Sequence, residues 1–187
     1  MPRALSGLAV VEIAEPTDVD ATPGARRLIV LGTPADLAVV LARLLRTDRL
    51  DVEVAFVRRP WTARRARRAA ARRVPLIRDE TGAVLVSVAF WLPPGEESSA
   101  VAGEAVVDDT LLFDGKVTGV RIEPTAELPG LRASVLTGRM RPRRWVTGRA
   151  AQLGTTGVLV VRDGVPAARP ARRSTFYRNT KGWLCVT

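Results

Sequence analysis

Three groupings of side chains in this 187-residue chain have residue types suited to binding an anion. The first is Thr62 to Arg73 (TARRARRAAARR). Alanine and arginine are strong helix formers, so the composition predicts a helix. That helix would carry Arg64, Arg68 and Arg72 on one line at i, i+4 and i+8, with Ala63, Ala66 and Ala70 as its apolar side. Two readings stand side by side: a solvated, shallowly docked surface helix, or a helix whose guanidiniums bind phosphodiester backbone or lipid headgroups. The second grouping pairs bases with rings: Arg141, Arg143 and Arg144 beside Trp145, and Arg172 and Arg173 near Phe176, Tyr177 and Arg178. Trp145 and Tyr177 are candidate stacking platforms for nucleic acid, the alternative being core aromatics flanked by surface arginines. The third is Gly32-Thr33, where an apolar run ends and a helix begins, so that free amides could face a phosphate. It holds a single glycine and Pro34 has no amide to offer, so a plain helix cap accounts for it as well. The carboxylates Asp108, Asp109 and Asp114 are close enough in sequence to bind Mg²⁺ or share a proton. Aspartate is also favoured at hairpin turns for backbone reasons, and that reading is preferred.

Composition removes other chemistry. The chain has no histidine, which excludes Ser-His-Asp and Cys-His catalysis and imidazole-ligated zinc. Its one cysteine, Cys185, can make neither an internal disulfide nor a structural zinc site. No catalytic residue, metal ligand or cofactor is assigned. Basic residues number 29 against 19 acidic, a formal net charge of +10. Only Lys116 and Lys181 are lysines; the rest are arginine. A GC-rich genome favours arginine codons, and the arginine fork favours phosphate and carboxylate, so the choice of arginine has two competing explanations. The surplus itself favours nucleic acid, anionic lipid or an acidic protein surface as partner. No apolar run approaches the roughly 18 residues of a membrane-spanning helix, and Met1 to Ser6 lacks a signal-peptide apolar region, so a cytoplasmic protein is expected.

The elements that must position these residues divide into two styles. Ala9 to Ala14 is expected as a short strand. Leu28 to Leu31 is an unbroken apolar run, expected as a strand buried on both faces. Thr33 is the expected N-cap of a helix with Pro34 at its first position and Leu37, Val40, Leu41 and Leu44 on one face. Leu50 to Val57 is then a second strand, parallel to the first by the handedness of such crossovers. From Val74 the pattern changes to short strands divided by turn signals at Asp108-Asp109, Asp114-Gly115 and Asp163-Gly164. Residues 150–153 and 158–161 read as separate strands, and Thr175 to Tyr177 with Trp183 to Val186 as a final pair. The fold class is therefore α+β: a short strand–helix–strand lobe with the basic helix over 1–75, then an antiparallel, sandwich-like β-rich lobe over 76–187.

This order of parts resembles the bacterial diacylglycerol kinases and related lipid kinases, and the chain looks like short actinobacterial proteins distantly related to them. In that family a GGDGT loop cradles ATP; the matching stretch here is Leu31-Gly32-Thr33-Pro34-Ala35-Asp36, which keeps Gly32. A second glycine-rich loop of the GTGND type would fall after Val57, at Arg58-Arg59-Pro60-Trp61. The family's late DGE, whose glutamate is thought to act as base, would fall at Asp163-Gly164-Val165, and valine accepts no proton. The resemblance implies the fold without the chemistry: a non-catalytic relative that binds an anionic ligand or a protein partner, with a nucleic-acid-binding accessory protein as the alternative.

Overall fold

The computed structural model describes residues 2–95 and 98–186. It divides into two compact units, Met1–Val74 with Lys181–Thr187, and Pro75–Thr180. Strands are numbered along the chain. The first unit contains β1 (Arg27–Leu31), α1 (Pro34–Arg46), β2 (Glu53–Val57), α2 (Ala63–Arg68), β3 (Ala71–Val74) and, from the far end of the chain, β15 (Trp183–Val186). These strands form one sheet in the order β1-β2-β15-β3. β1, β2 and β15 run parallel, and β3 is antiparallel to β15. The parallel crossover through α1 is as expected. The C-terminal strand, expected to pair within the β-rich lobe, instead sits between β2 and β3. Residues 9–14 form no strand and are exposed. β1 is an edge strand, half-buried, with Leu31 exposed, whereas β2 is the buried centre. An apolar run alone did not distinguish the two.

α1 starts where its capping chemistry dictates. The Thr33 hydroxyl accepts from the Asp36 amide, and Asp36 accepts from the Thr33 amide and hydroxyl at 2.7 and 2.9 Å. This is a reciprocal capping box with Pro34 at the first position. Arg43 and Arg46 lie in the last turn, on the favourable side of the dipole. Leu37, Val40, Leu41 and Leu44 are buried.

The basic segment is a correction. α2 stops at Arg68, Ala69 is extended, and residues 71–74 continue as β3. Arg72 therefore lies on a strand opposite Cys185, not on a helical line with Arg64 and Arg68. Helix propensity over these residues is high but worth only tenths of a kcal/mol per residue, and the ladder bonds to β15 outweigh it. What anchors α2 is small and polar. Ala63 and Ala66 are buried with Leu5, Ala55, Val57 and Val186. Arg27 of β1 then caps the helix end, donating to the carbonyls of Ala66, Arg67 and Ala69 at 3.2, 2.9 and 2.8 Å and to Glu53 at 2.6 Å. These last-turn carbonyls have no partner within the helix.

The second unit is all antiparallel: β4 (Ile77–Asp79), β5 (Val84–Leu85), β6 (Ala89–Leu92), β7 (Val101–Val107), β8 (Thr110–Val117), β9 (Val120–Pro124), β10 (Leu131–Val135), β11 (Val146–Gly148), β12 (Ala150–Arg162), β13 (Val165–Pro166) and β14 (Ala171–Arg178). β12 organises it. Its first half pairs with β14 and β7, its second half with β6 and β13, and the register shifts between Gly154 and Val158. Bulges let one strand turn between two sets of partners, so the residues read as two strands are one. Asp114-Gly115 is likewise no turn but lies inside β8, opposite Glu104 and Gly103. Trp91 and Phe176 are fully buried with ring centroids 6.2 Å apart, and the indole N–H donates to Ser174 at 3.0 Å. The fold class is α+β, with a mixed sheet in one unit and antiparallel strands in the other.

Replacing Arg27 by methionine should lower stability by about 2–3 kcal/mol, since three carbonyls and Glu53 lose a charged donor. Urea unfolding measures the loss, and hydrogen exchange should localise it to residues 63–69. Acid acts on the same unit. The Arg43 guanidinium holds the Asp20 carboxyl below its ordinary range, and Lys181, then Arg73, do the same for Asp51. Depressed native values stabilise the fold fully above the unfolded value of about 3.9 and cease to do so as pH falls through the native ones. Asp51→Asn should flatten the acid limb of a stability–pH curve, and added salt should flatten it further.

Candidate functional site

At the carboxyl end of β2 the chain passes through Arg58, Arg59, Pro60, Trp61 and Thr62 into α2. In open sheets of parallel strands this edge is where ligands bind. The segment Arg58 to Arg68 holds six arginines and no acidic residue. Arg58, Arg59, Arg64, Arg65, Arg67 and Arg68 are all exposed. Arg67 donates to the Ala4 carbonyl at 3.1 Å, and no carboxylate pairs with the other five among the described residues. Trp61 is 71% exposed, with the Arg59 guanidinium 5.3 Å from its ring centre. The structure thus keeps Arg64 and Arg68 on one short helix, places Arg72 on β3, and adds Arg58, Arg59 and Trp61. The sequence signal for these three was a charged stretch directly after a buried strand.

The Gly32-Thr33 loop is closed by its own chain. The Asp36 carboxylate occupies the start of α1 and takes the Thr33 amide. Gly32 has positive φ, and a Cβ there would run into that carboxylate. The glycine is needed for the self-capped turn, and the anion at this helix end is Asp36.

The second basic cluster lies on the hairpin extension between β10 and β11. Arg141, Arg143 and Arg144 are exposed, and the loop is ordered by bonds from the Thr137 amide to Arg141 and from the Arg143 amide to Val135, at 2.9 and 3.0 Å. Trp145 does not offer a free ring: Arg132 lies over it at 4.3 Å and is itself paired, with Arg121, to Glu123. Arg78 covers Tyr177 in the same way at 4.8 Å. These platforms already hold cations from their own sheet.

Asp163 also serves the backbone. Its carboxylate accepts the amides of Val86, Ser87 and Val88 at 2.9, 2.7 and 3.0 Å, tying the Asp163-Gly164 turn to the strand entry opposite. Val165 is exposed beside it. Cys185 is half-buried, and desolvation pushes its thiol up, partly offset by Arg72. A buried thiol so shifted is a weak nucleophile. Among the described residues no group of three or more Cys, Asp or Glu is placed to hold a metal ion, and no helix is long and apolar enough to cross a membrane.

No family model matches the sequence, and no curated protein is similar to it. Solved structures are. A diacylglycerol kinase from Bacillus anthracis str. Sterne superposes with a TM-score of 0.72 at 8% identity, covering 95% of this chain and 83% of that one. A putative diacylglycerol kinase from the same organism gives 0.70 at 8%, covering 92% and 83%. An NAD kinase from Archaeoglobus fulgidus, in complex with ATP, gives 0.62 at 10%, covering 92% and 80%. The fold is therefore of the diacylglycerol-kinase and NAD-kinase type.

Asp163→Ala should cost on the order of 2–3 kcal/mol, because three amides lose a charged acceptor. Thermal unfolding measures this, and a change within the ±0.5 kcal/mol of an ordinary surface substitution would refute the structural role.

Proposed function

We propose that this chain is a non-catalytic, cytoplasmic relative of the lipid kinases, of the short actinobacterial kind, that binds an anionic ligand or an acidic protein surface. The observation that carries this reading is the run of exposed arginines without carboxylate partners from Arg58 to Arg68, at the carboxyl end of a central parallel strand. Phosphoryl transfer needs a phosphate cradle, a base and a metal-bound nucleotide. The positions that would supply them are otherwise engaged: Asp36 fills the helix start, Arg58-Arg59-Pro60-Trp61 stands in place of a glycine loop, and Asp163 holds three amides next to Val165. Arg141, Arg143 and Arg144 form a separate, secondary basic patch.

The second reading, a nucleic-acid-binding accessory protein, is supported by Trp61, whose exposed ring beside Arg59 suits a base stacked in an electropositive setting. Trp145 and Tyr177 support it less, since arginines cover their rings.

Purified protein incubated with Mg²⁺–ATP and diacylglycerol micelles should yield no phosphatidic acid. Fluorescent poly-glutamate should bind, and the combined replacement of Arg58, Arg59, Arg64 and Arg65 by alanine should weaken binding by about tenfold or more, equivalent to 1.4 kcal/mol. The Arg141, Arg143 and Arg144 triple alanine variant should change it less. Tighter binding to duplex DNA, with a log–log salt slope of about −0.9 per neutralised phosphate, would favour the second reading. Turnover of diacylglycerol would refute the first.

A further inference from the structure

Six of the seven residues from Leu8 to Ala14 are apolar, and all seven are exposed, Val10 at 70%. Their backbone is as unused as their side chains. Leu8 donates to the Leu5 carbonyl at 3.3 Å and Ala14 to the Asp18 carboxylate at 2.8 Å. Between them, the amides and carbonyls of Ala9 to Ile13 have no hydrogen-bond partner among the described residues. The segment is nonetheless fixed at both ends. Leu5 is buried with Ala63 and Ala66 of α2, and Val19 is buried in the short 3-10 turn Pro16–Ala21. Valine and isoleucine are strong strand formers, and an exposed apolar stretch of this kind marks a surface that associates.

β1 has the complementary lack. It pairs with β2 along one side and with no strand along the other. Native proteins blunt such edges with lysine, proline or a bulge. Leu28-Ile29-Val30-Leu31 has none of these, and Leu31 is 44% exposed. The neighbouring β2 is buried at Val54, Ala55 and Val57, hence on both faces of the sheet. A strand that extends a sheet covered on both faces need not alternate. Residues 8–13 fit that requirement, with Leu8 and Val10 on one face and Ala9, Val11 and Ile13 on the other.

Charge favours a second copy of this chain at the edge. A net charge of +10 opposes self-association over most surfaces. Residues 4–25 differ, having four acidic side chains and no basic one. Glu12 is the single charge from Leu8 to Ala14, and Arg26 stands at the entrance to β1; neither has an ion pair or side-chain hydrogen bond among the described residues. In an antiparallel register with Glu12 opposite Arg26, Val11, Val10, Ala9 and Leu8 run along Arg27, Leu28, Ile29 and Val30. The chain thus supplies both halves of the pairing in equal number, and reciprocal exchange closes as a two-fold dimer.

We propose that residues 8–13 of one copy add as a strand to the β1 edge of a second copy, and the reverse, so that the protein is a dimer. The arginines from Arg58 to Arg68 take no part, so this inference and the anion-binding reading fail separately.

Sedimentation equilibrium of the full chain from about 1 μM to about 1 mM tests it, a span that covers weak to moderate association. A monomer–dimer equilibrium is expected. Hydrogen exchange of Ala9 to Ile13 should be slow where the dimer prevails and fast where it is diluted away. Val10→Asp puts a charge on an exposed side chain, and Val11→Pro removes an amide that has no partner within the chain. Each should weaken dimerisation about tenfold or more while the far-ultraviolet circular dichroism stays that of the parent. The combined Arg58, Arg59, Arg64 and Arg65 alanine variant should dimerise at least as well as the parent. The proposal is overturned if the chain is monomeric up to 1 mM. It is equally overturned if the dimer survives both Val10→Asp and Val11→Pro, or if Ala9 to Ile13 are protected alike at every concentration.

Discussion

Backbone amides at the turns of this protein are satisfied by carboxylates of its own chain, and much else follows from that. A buried or half-buried N–H without a partner is costly, and a charged acceptor is the strongest remedy. Asp18 takes the amides of Ala14 and Glu15, Asp36 that of Thr33, Asp79 those of Thr81 and Ala83. Asp108 takes Arg149 and Ala150, Asp163 takes residues 86–88, and Glu80 takes Thr175. Apart from Asp79, which also meets Arg162 at 2.7 Å, these six acids pair with no arginine among the described residues. Other acids are held in ion pairs, Asp20 with Arg43, Asp51 with Lys181 and Arg73, Glu53 with Arg27 and Glu123 with two arginines. The excess of base over acid therefore appears at the surface as guanidiniums without a carboxylate partner among the described residues, and it is densest from Arg58 to Arg68.

The same interaction separates fold from chemistry. In an α/β unit a strand that ends in glycine before a helix presents amides to an anion. Here the anion is covalently part of the helix: Asp36 lies three residues into the motif and accepts from Thr33. A phosphate entering this position would meet a carboxylate and a proline. At the other end of the chain, the aspartate of Asp163-Gly164 holds together two turns. Both features commit a carboxylate to the chain's own backbone amides.

Local chemistry was legible in the sequence where it depended on adjacent residues. The capping box at Thr33 and Asp36, the parallel crossover through α1 and the tight turn at Asp163-Gly164 are all set within a few positions, and so could be read directly. Features decided by distant partners were not. The alanines and arginines of Ala69 to Arg73 favour a helix until β15 arrives from the other end of the sequence and offers a ladder. Residues 154–157, rich in glycine and threonine, look like a break between strands but form a bulge within β12. Asp114-Gly115 looks like a turn but pairs across to Gly103 and Glu104. Trp145 and Tyr177 were identifiable as rings beside arginines; that Arg132 and Arg78, 13 and 99 positions away, cover them is a matter of sheet register.

The central claim is that the start of α1 is filled by the chain's own Asp36 carboxylate and takes no phosphate. Titrating the isotopically labelled chain with Mg²⁺–ATP while following the backbone amides of Gly32 to Asp36 by NMR tests it most directly. The account predicts that these amides keep their resonance positions at saturating nucleotide, whatever happens at the arginines. Saturable shifts confined to Gly32, Thr33, Ala35 and Asp36 would contradict it.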